Sequence, residues 1–399
     1  MSTFNPDDAA FVFVVCGAKT HIDTLHFSLE QLKKYSQYPI FVVTDSKRNE
    51  ITIRHNNIID VQTPSSYNHH QASIWLKTSL HKILPNHKTY CYLDSDVITL
   101  NKECNRVFDY YQPPITFAKD HTTLSYFSPY AVNCNCKINH DNTKVLFEKE
   151  ILQTIQKPNY PPNFESKEIR TLFLLYNQIS SNVLKLFFFV FKAIISAIIG
   201  KVKIKEGIVL NIQKKRWEIN QNFHYPILLL YRKLIKEKTG YTFSFLKRQW
   251  IKNHQCAILP NRCNHLQQAL TETFHVEVPP DWQHWNGGVF VFDCQSHDFL
   301  EQWHQNTKTI FANSYWKVRD QGTLIATVFQ NNLQNHTTLS EEFNFIADFY
   351  KPEITVDKTQ KYLLKGEKII QPAMIHIYHH WDDEQWDVWQ FVKKMTAIK

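Results

Sequence analysis

Short apolar runs alternate with amphipathic stretches in the first hundred residues of the chain. The apolar runs are rich in β-branched and aromatic residues and have the length of buried strands. They occupy residues 11–15, 39–44, 58–61 and 89–97. Between them, residues 22–35 and 73–84 carry apolar side chains at the three- and four-residue spacing of a helix. Strands that alternate with helices predict a mostly parallel sheet with helices on both faces.

The same pattern returns near the end of the chain after a long interruption. From Asn101 to about His140 the pattern is irregular, and sheet-like sequence resumes only at Trp285. The later predicted elements are strands at 285–292 and 373–378 and helices at 297–307 and 320–329. We therefore predict one α/β domain built from residues 1–140 and 271–399, with a largely helical insertion at 141–270.

Positive charge and apolarity occur together in the predicted insertion. Residues 165–252 contain 17 Lys and Arg, 5 Glu and no Asp, a net charge of +12, whereas the whole chain carries +8. On a helix, the apolar stretch Val183–Ile199 would place Ser181, Lys185, Lys192 and Ser196 in one polar stripe beside a wide apolar face. Such a helix lies along a membrane surface without crossing it.

We therefore predict that residues 165–252 dock on a membrane surface. The alternative is that the apolar face packs on the rest of the chain or on a second subunit. A nucleic-acid partner fits poorly, because the basic residues accompany an apolar face and not a polar one.

The cysteines and the N-terminal sequence bear on location. Eight scattered cysteines in a chain of this size favour a reducing compartment over a disulfide framework. Met1 to Ala10 carries no basic residue, and the apolar run after it is too short for a signal-peptide core. We predict a cytoplasmic protein, peripheral on the inner face of the membrane. The pairs Cys134-x-Cys136 and Cys256-x6-Cys263 leave zinc binding open, at looser spacings than paired CxxC knuckles.

Two aspartates, Asp94 and Asp96, stand where the fourth apolar run ends. Ligands of a parallel sheet bind beyond the carboxyl ends of its strands. Paired carboxylates there can hold Mg²⁺ or Mn²⁺, which keeps positions open for diphosphate oxygens. The chain has only 8 glycines and no Gly-rich phosphate loop, so a metal would have to meet the charge of a bound nucleotide. A solvated turn after a strand is the alternative.

The sequence around these aspartates resembles GT-A fold glycosyltransferases, members of the nucleotide-diphospho-sugar transferase superfamily. Ser73-Ile-Trp-Leu-Lys77 and Tyr90-Cys-Tyr-Leu-Asp-Ser-Asp-Val97 are similar to the helix and the DxD-bearing strand of those enzymes. The resemblance implies that Asp94 and Asp96 bind Mn²⁺ or Mg²⁺, with Ser95 beside the donor. It also implies that Lys77 contacts donor phosphate, although an ordinary solvated lysine remains the alternative.

Two later segments resemble the same enzymes on the sugar side of the site. Trp285-Asn286-Gly287-Gly288 is similar to a strand start where glycines let the backbone approach the sugar. Asp320-Gln321 is similar to a helix start that faces the transferred sugar. The resemblance implies that Asp320, Asn286 and Gln321 lie near the reacting carbon. A tight turn for the glycines and a helix cap for Asp320 are the alternatives.

A third late segment, Met374-Ile-His376-Ile-Tyr378, resembles the strand whose histidine completes the metal site in retaining enzymes of the glycogenin and bacterial galactosyltransferase type. The family's following Gly and Lys-Pro-Trp are missing, and His379-His380-Trp381 stands there instead. His376 is therefore the first candidate ligand and His379 the second. A plain strand histidine is the alternative reading.

The resemblance implies transfer of a hexose from a nucleoside diphosphate sugar to a saccharide or lipid-linked saccharide in cell-surface glycan synthesis, with retention of configuration. Cys16, Thr44 and Asp45, at the ends of the first two strands, would contact the nucleoside. One alternative is a sugar-phosphate nucleotidyltransferase, although Cys16-Gly-Ala-Lys19 lacks the Gly- and Arg-rich loop of those enzymes. The other is a non-catalytic membrane-bound scaffold with a transferase-like fold, which the presence of both aspartates disfavours.

Overall fold

A computed structural model divides the chain into two compact units. The first comprises residues 1–134 and 262–399, and the second comprises residues 135–261. The sequence analysis placed the insertion at 141–270. The structure describes residues 8–155, 171–172, 175, 178–179, 182–205, 207–219, 223–226, 232–244, 246–347, 354–357 and 362–397.

The regular elements are numbered in chain order. The strands are β1 (Ala9–Val14), β2 (Ile40–Thr44), β3 (Ile58–Asp60), β4 (Thr89–Leu93), β5 (Val97–Thr99), β6 (Ile115–Thr123), β7 (Val202–Lys205), β8 (Ile208–Asn211), β9 (Arg216–Ile219), β10 (Phe223–Pro226), β11 (Thr242–Ser244), β12 (Gln249–Lys252), β13 (Gln255–Cys256), β14 (Gln283–Phe292), β15 (Phe345–Ile346), β16 (Ile354–Asp357), β17 (Tyr362–Lys365), β18 (Lys368–Ile370) and β19 (Met374–His376). The helices are α1 (Lys19–Tyr35), α2 (His69–Thr78), α3 (Leu80–Ile83), α4 (Leu124–Ala131), α5 (Cys136–Ile155), α6 (Val183–Ile199), α7 (Arg232–Thr239), α8 (His265–Phe274), α9 (His297–Ile310), α10 (Arg319–Gln330) and α11 (Asp387–Ala397).

A six-stranded sheet forms the centre of the first unit, in the order β3-β2-β1-β4-β14-β6. The neighbours β3, β2, β1 and β4 are parallel, and β14 runs antiparallel to both β4 and β6. Phe11 in β1 lies opposite Ile40 in β2 and Cys91 in β4. The predicted α/β class with a mostly parallel sheet is confirmed.

Helices cover both faces of this sheet, because successive strand side chains point to opposite sides. Phe11 and Phe13 pack with Leu25 and Leu29 of α1 on one face. On the other face, Val12 packs in a cluster with side chains of α2, α9 and α10. Each fully buried side chain of this size contributes roughly 1.5–3 kcal/mol to folding. The two clusters fix the ends of the parallel strands, where the candidate site lies.

A small sheet brings the end of the chain beside the aspartate pair. Its order is β15-β19-β5, with β19 parallel to β15 and antiparallel to β5. In this register His376 lies opposite Val97, and the backbone N–H of Ile377 donates to the carbonyl of Asp96 at 3.1 Å. Strand pairing therefore places a histidine from the last quarter of the sequence next to Asp96.

The stretch that the sequence analysis described as irregular, from Asn101 to about His140, contains regular structure. It holds a 3-10 helix at Lys102–Tyr110, the edge strand β6 and the helix α4. The first four residues of β6 are buried, and the strand then continues into the polar sequence Lys-Asp-His-Thr-Thr. Because of that polar half, the spacing of apolar residues could not identify β6 as a strand. The predicted strand 89–97 is likewise two strands, separated by Asp94, Ser95 and Asp96.

The second unit combines helices with two antiparallel sheets, β10-β9-β8-β7 and β11-β12-β13. The sequence analysis expected a largely helical insertion and did not predict these sheets. Their aromatic residues pack against α5 and α6 in one core: Phe147 contacts Trp250, and Phe189 stacks on Trp217 with ring centres 5.9 Å apart.

The apolar helix α6 departs from its predicted orientation. Ser196, expected in a polar stripe with Lys185 and Lys192, is buried and donates to the carbonyl of Leu210 at 2.9 Å. Ser181, a fourth predicted member of the stripe, lies outside the described residues. Among the described residues, no helix combines the length and apolarity that crossing a bilayer requires.

Candidate active site

The candidate site lies at the carboxyl edge of the parallel strands. Cys16, Asp45 and Asp94 follow β1, β2 and β4, which are neighbours in the sheet. Helix α2 contacts this edge at two points one helical turn apart. Ser73 Oγ is 3.3 Å from Cys16 Sγ, and Lys77 Nζ is 3.1 Å from an Asp94 carboxylate oxygen.

Helix α2 holds these positions through its N-terminal cap. The Asn68 side chain accepts from the backbone N–H of Gln71 at 2.9 Å, and the Gln71 side chain accepts from the backbone N–H of Asn68 at 3.0 Å. This reciprocal capping box satisfies two N–H groups that the start of a helix otherwise leaves unpaired. Ser73 and Lys77 then share the helix face that is turned to the sheet edge.

Asp94, Asp96 and His376 converge to form a candidate metal centre. One ligand atom from each side chain lies within 4.8 Å of the others. His376 Nε2 is 3.2 Å from Asp96 Oδ1, a buried oxygen that finds no hydrogen-bond partner among the described residues. Two ligands on adjacent corners of an octahedral ion are about 3.0 Å apart when each is about 2.1 Å from the ion. Two carboxylates and an imidazole in this geometry fit a divalent cation.

An asparagine orients the histidine of this centre. His376 Nδ1 and Asn344 Oδ1 are 3.0 Å apart, so the ring donates from Nδ1 and keeps the lone pair of Nε2 directed toward Asp96. The Asn344 amide in turn donates to Asn286 Oδ1 at 3.0 Å, and the Asn286 amide donates to Asp120 at 2.9 Å. The hydrogen-bonded chain fixes the tautomer that a metal ligand needs.

The glycine pair at the start of β14 makes room for this arrangement. A Cβ atom on Gly288 would lie 2.5 Å from His376 Cε1 and 2.8 Å from Asn286 Oδ1. No real side chain tolerates such contacts, so Gly288 is required for the histidine to reach its position. A Cβ on Gly287 would stand 3.4 Å from Lys77 Nζ. The tight-turn reading of these glycines misses this close approach.

Lys77 lies between two carboxylates. Its ammonium is 3.1 Å from Asp94 and 3.1 Å from Asp320, and its side chain is 7% exposed. Burial opposes its charge, but the two carboxylates outweigh that cost and hold the pKa of Lys77 above its usual value. The solvated-lysine alternative is therefore wrong, and Lys77 links the aspartate pair to the start of α10.

The carboxyl groups of the site respond differently to their neighbours. Burial raises the pKa of Asp94, with the adjacent Asp96 adding to the effect and Lys77 opposing it. Burial also opposes ionisation of Asp96 and of Asp320, yet the protonated form of His376 would hold the pKa of Asp96 below its usual value, and Lys77 lowers the pKa of Asp320. A positive charge beside Asp94 would favour the ionised form of both members of the pair.

The other residues predicted near the sugar are held by the protein itself. Gln321 accepts from the backbone N–H of Gly287 at 3.0 Å and donates to the carbonyl of Trp285. Asn286 belongs to the chain that orients His376. Asp320 is in the first turn of α10, where a carboxylate suits the helix dipole, and its backbone carbonyl accepts from Trp303 at 2.9 Å.

Comparisons with known proteins return distant structural similarities. No protein-family model matches the sequence, and no characterised protein matches it in sequence. The bifunctional glycosyltransferase WbbM shares 11% identity over 98% of this chain, with a TM-score of 0.40, and the chain spans only 50% of that protein. The galactosyltransferase LgtC, solved with donor and acceptor sugar analogues, shares 10% identity over 97% of this chain and 95% of its own, with a TM-score of 0.43. Mouse xyloside xylosyltransferase 1 shares 10% identity over 85% of this chain and 87% of its own, with a TM-score of 0.34.

The residues predicted to contact a nucleoside lie together at the ends of β1 and β2. Asp45 is buried and accepts from the backbone N–H and the hydroxyl of Thr63 at 2.8 and 2.6 Å. Burial opposes its ionisation, but these hydrogen bonds and Arg48 hold the pKa of Asp45 below its usual value. Thr44 exchanges hydrogen bonds with Asn49, and burial raises the pKa of the Cys16 thiol. The Asp45 carboxylate therefore stabilises the loop after β2 through its hydrogen bonds.

Some residues of the site were not anticipated from the sequence. Asn344 and Asp120 complete the chain that orients His376, and the Tyr92 hydroxyl donates to Asp94. The signal for Tyr92 was available, because it lies two residues before Asp94, near the end of the strand that Asp94 follows, and alternation along a strand carries both to the same side. His379, the second candidate ligand, packs its ring on Tyr378 with centres 4.4 Å apart. Ser95 uses its carbonyl to accept from Ser28 at 2.7 Å.

Proposed function

We propose that this protein is a metal-dependent glycosyltransferase of the GT-A type, transferring a hexosyl group from a nucleoside diphosphate sugar to a saccharide acceptor. The observation that supports it best is the convergence of Asp94, Asp96 and His376 at the exit of β4, with a buried Asp96 oxygen 3.2 Å from the imidazole of His376. That ligand set at the carboxyl edge of a parallel sheet suits a cation that binds diphosphate.

Asp94, Asp96 and His376 would hold Mn²⁺ or Mg²⁺. A cation bound there supplies charge neutralisation for the departing nucleoside diphosphate. Lys77 keeps the Asp94 carboxylate in place and links it to Asp320, and its ammonium favours the ionised form of both carboxyl groups. Because Gly287 and Gly288 carry no side chain, His376 and Lys77 can pack directly against the start of β14.

We assign retention of configuration to the reaction, following the similarity of His376 to the late histidine of retaining enzymes. In this assignment Asp320 lies near the reacting carbon, where its carboxylate would stabilise positive charge that develops on the sugar. Asn286 and Gln321 position the strand behind it. Anomeric analysis of the product by NMR decides the assignment, and an inverted product contradicts it.

A donor screen tests the proposed activity. Purified protein is mixed with a panel of nucleotide sugars and nucleoside diphosphates, with and without Mn²⁺, and both thermal stabilisation and nucleotide release are measured. We expect one nucleotide to stabilise the protein only when Mn²⁺ is present. Asp96→Asn should abolish this stabilisation, and the exposed Asp298→Asn should retain it.

Three results would contradict the transferase proposal. Stabilisation by nucleotide that is unchanged in Asp96→Asn would show that the nucleotide binds elsewhere. Pyrophosphate release from a nucleoside triphosphate and a sugar phosphate would identify a nucleotidyltransferase. Metal and nucleotide binding without turnover on any acceptor would favour the scaffold.

We further propose that the second unit docks on an anionic membrane surface, which would make the acceptor a lipid-linked saccharide and place the protein on the cytoplasmic face of a membrane. Large apolar side chains of α6 are exposed, including Phe187 at 67%, Phe191 at 55% and Ile198 at 75%. Ser196 is the only fully buried residue of α6, and Phe189 and Ala193 pack partly buried against the unit's own core. The excess of Lys and Arg in residues 165–252 complements anionic lipid.

Sedimentation with lipid vesicles tests this docking. The protein should pellet with vesicles that contain phosphatidylserine and remain in solution with vesicles of phosphatidylcholine alone. The triple variant Phe187→Ser, Phe191→Ser, Ile198→Ser should lose pelleting, whereas Leu246→Ser, which changes a side chain that is 98% exposed outside α6, should not. Pelleting that the triple variant retains, or a stable dimer that the variant disrupts, contradicts membrane docking.

A further inference from the structure

A second cluster of metal-binding side chains lies in the first unit, away from the aspartates. Cys134, Cys263 and His265 each offer a ligand atom within 4.8 Å of the others. The sequence analysis had paired Cys263 with Cys256, but the structure places Cys256 in β13, opposite Ile251, and brings His265 to Cys263 instead. Because Cys263 and His265 are only two residues apart, the short segment that enters α8 presents both.

We propose that Cys134, Cys263 and His265 form a structural zinc site, with Cys136, two residues along the chain from Cys134, as the fourth ligand. Two cysteine thiolates and an imidazole are the ligands that zinc prefers, and structural zinc sites are built from four such groups. This site is independent of the proposed transfer reaction.

The distance between the two sulfur atoms supports zinc over a disulfide. Cys134 Sγ and Cys263 Sγ are 3.8 Å apart. Two thiolates of a tetrahedral zinc site, each about 2.3 Å from the ion, are separated by about 3.8 Å. A disulfide would require about 2.05 Å between the sulfur atoms.

The surroundings of Cys263 resemble the outer shell of a metal site. Ser128 Oγ is buried and lies 3.1 Å from Cys263 Sγ. The same oxygen accepts from the backbone N–H of Leu266 at 2.9 Å, which leaves its own proton free to donate to the sulfur. A hydroxyl donor of this kind stabilises a thiolate and fixes its position.

The location of the cluster gives the proposed zinc a structural task. The first unit ends at Cys134 and resumes at Arg262, so the sulfur atoms bridge the two points between which the second unit is inserted. The backbone N–H of Cys263 also donates to the carbonyl of Ser125 at 3.0 Å. Closing a long chain segment costs conformational entropy, and the binding free energy of a metal held at its base offsets that cost.

Metal analysis of the full chain tests the proposal. Protein purified under reducing conditions from zinc-supplemented cells is passed over a chelating resin before elemental analysis. We expect about one zinc per chain, as for one closed tetrahedral site, and its release when the thiols are modified by a mercurial reagent. The double variant Cys134→Ser, Cys263→Ser should lose this zinc, whereas the exposed Cys294→Ser should retain it.

A cobalt measurement keeps the test valid if the double variant does not fold. Wild-type protein loaded with Co²⁺ should show the charge-transfer absorption of thiolate bound to cobalt, and the Asp96→Asn variant should show it at equal intensity. Protein that binds no zinc, a cobalt spectrum without the thiolate band, or a Cys134–Cys263 disulfide in the reduced preparation each overturns the proposal. None of these results depends on whether the transferase is active.

Discussion

The first unit contains two candidate metal centres with different ligands. Asp94, Asp96 and His376 offer two carboxylates and an imidazole at the edge of the central sheet, whereas Cys134, Cys263 and His265 offer two thiolates and an imidazole where the second unit is inserted. Carboxylate oxygens suit Mg²⁺ and Mn²⁺, which keep exchangeable positions, and thiolates select zinc and can enclose it. The ligand chemistry therefore separates a centre suited to substrate from one suited to holding the fold.

The two centres also differ in how their ligands are held. Lys77 and His376 only partly offset the negative charge of the carboxylates beside them, so the centre favours binding of a cation. Cys263 is positioned by two contacts with α4: its sulfur lies beside the Ser128 hydroxyl, and its backbone N–H donates to the carbonyl of Ser125. Perturbing either centre should thus leave the other intact.

Brief chelation should have the largest effect. Passing the protein rapidly through excess chelator and resin should reduce nucleotide release about a thousandfold, since a cation at such a site is worth several kcal/mol of charge stabilisation. Added Mn²⁺ should restore the rate. The thiolate centre should keep its zinc, because four protein ligands leave no position for the chelator. Full activity after chelation contradicts the metal-dependent mechanism, and simultaneous loss of zinc contradicts a closed second centre.

Removal of the buried ammonium should destabilise the fold. Lys77→Met leaves Asp94 and Asp320 without their lysine counter-ion. Breaking a fully buried ion pair typically costs about 3–5 kcal/mol, and we expect a smaller cost here because the two carboxylates are 30% and 18% exposed. Mn²⁺ should raise the melting temperature of this variant more than that of the wild type, because the cation replaces the lost positive charge beside Asp94. Lys82→Met, which changes a lysine that is 44% exposed, serves as control and should change stability little. If Mn²⁺ raises the melting temperatures of both variants equally, Lys77 does not act on the metal centre.

The parts of the site that follow from local sequence were predictable. Asp94 and Asp96 could be placed at a carboxyl strand end because β4 is an uninterrupted apolar run. Lys77 could be placed near them because α2 has clear helical spacing and precedes that strand. These inferences need only the period of the pattern and the order of strands and helices.

The residues that depend on long-range pairing could not be predicted in this way. Asn344 follows a short 3-10 helix, and its role arises only because β15 and β19 pair side by side. His265 lies 131 positions after Cys134 in the chain, and no local spacing connects the two. The second half of β6 is polar, so its sequence does not indicate a strand. Its pairing with β14 is also irregular near Asn286.

Loss of the residue that orients His376 should have an intermediate effect. Asn344→Leu removes the acceptor of the Nδ1 proton, and substitutions of such outer partners typically weaken metal binding about 10–100-fold. The change is measured by titration with Mn²⁺ monitored by electron paramagnetic resonance. Asn344→Asp, which keeps an acceptor, should recover part of the lost affinity. Zinc content should stay constant in both variants. If Asn344→Leu leaves the Mn²⁺ affinity unchanged, His376 is not a ligand of the metal.

The glycine pair gives the smallest and most local test. In Gly288→Ala the new methyl group would meet His376 at 2.5 Å, whereas in Gly287→Ala the nearest atom is Lys77 Nζ at 3.4 Å, the end of a flexible side chain. Overpacking of this kind costs about 1–3 kcal/mol, so Gly288→Ala should lower both the melting temperature and the Mn²⁺ affinity. Gly287→Ala should lower them less, since the lysine can move by a few tenths of an ångström. Because neither substitution touches the thiolate cluster, zinc binding should survive in both variants. If the two variants behave alike, close packing of His376 on β14 does not position the metal ligand.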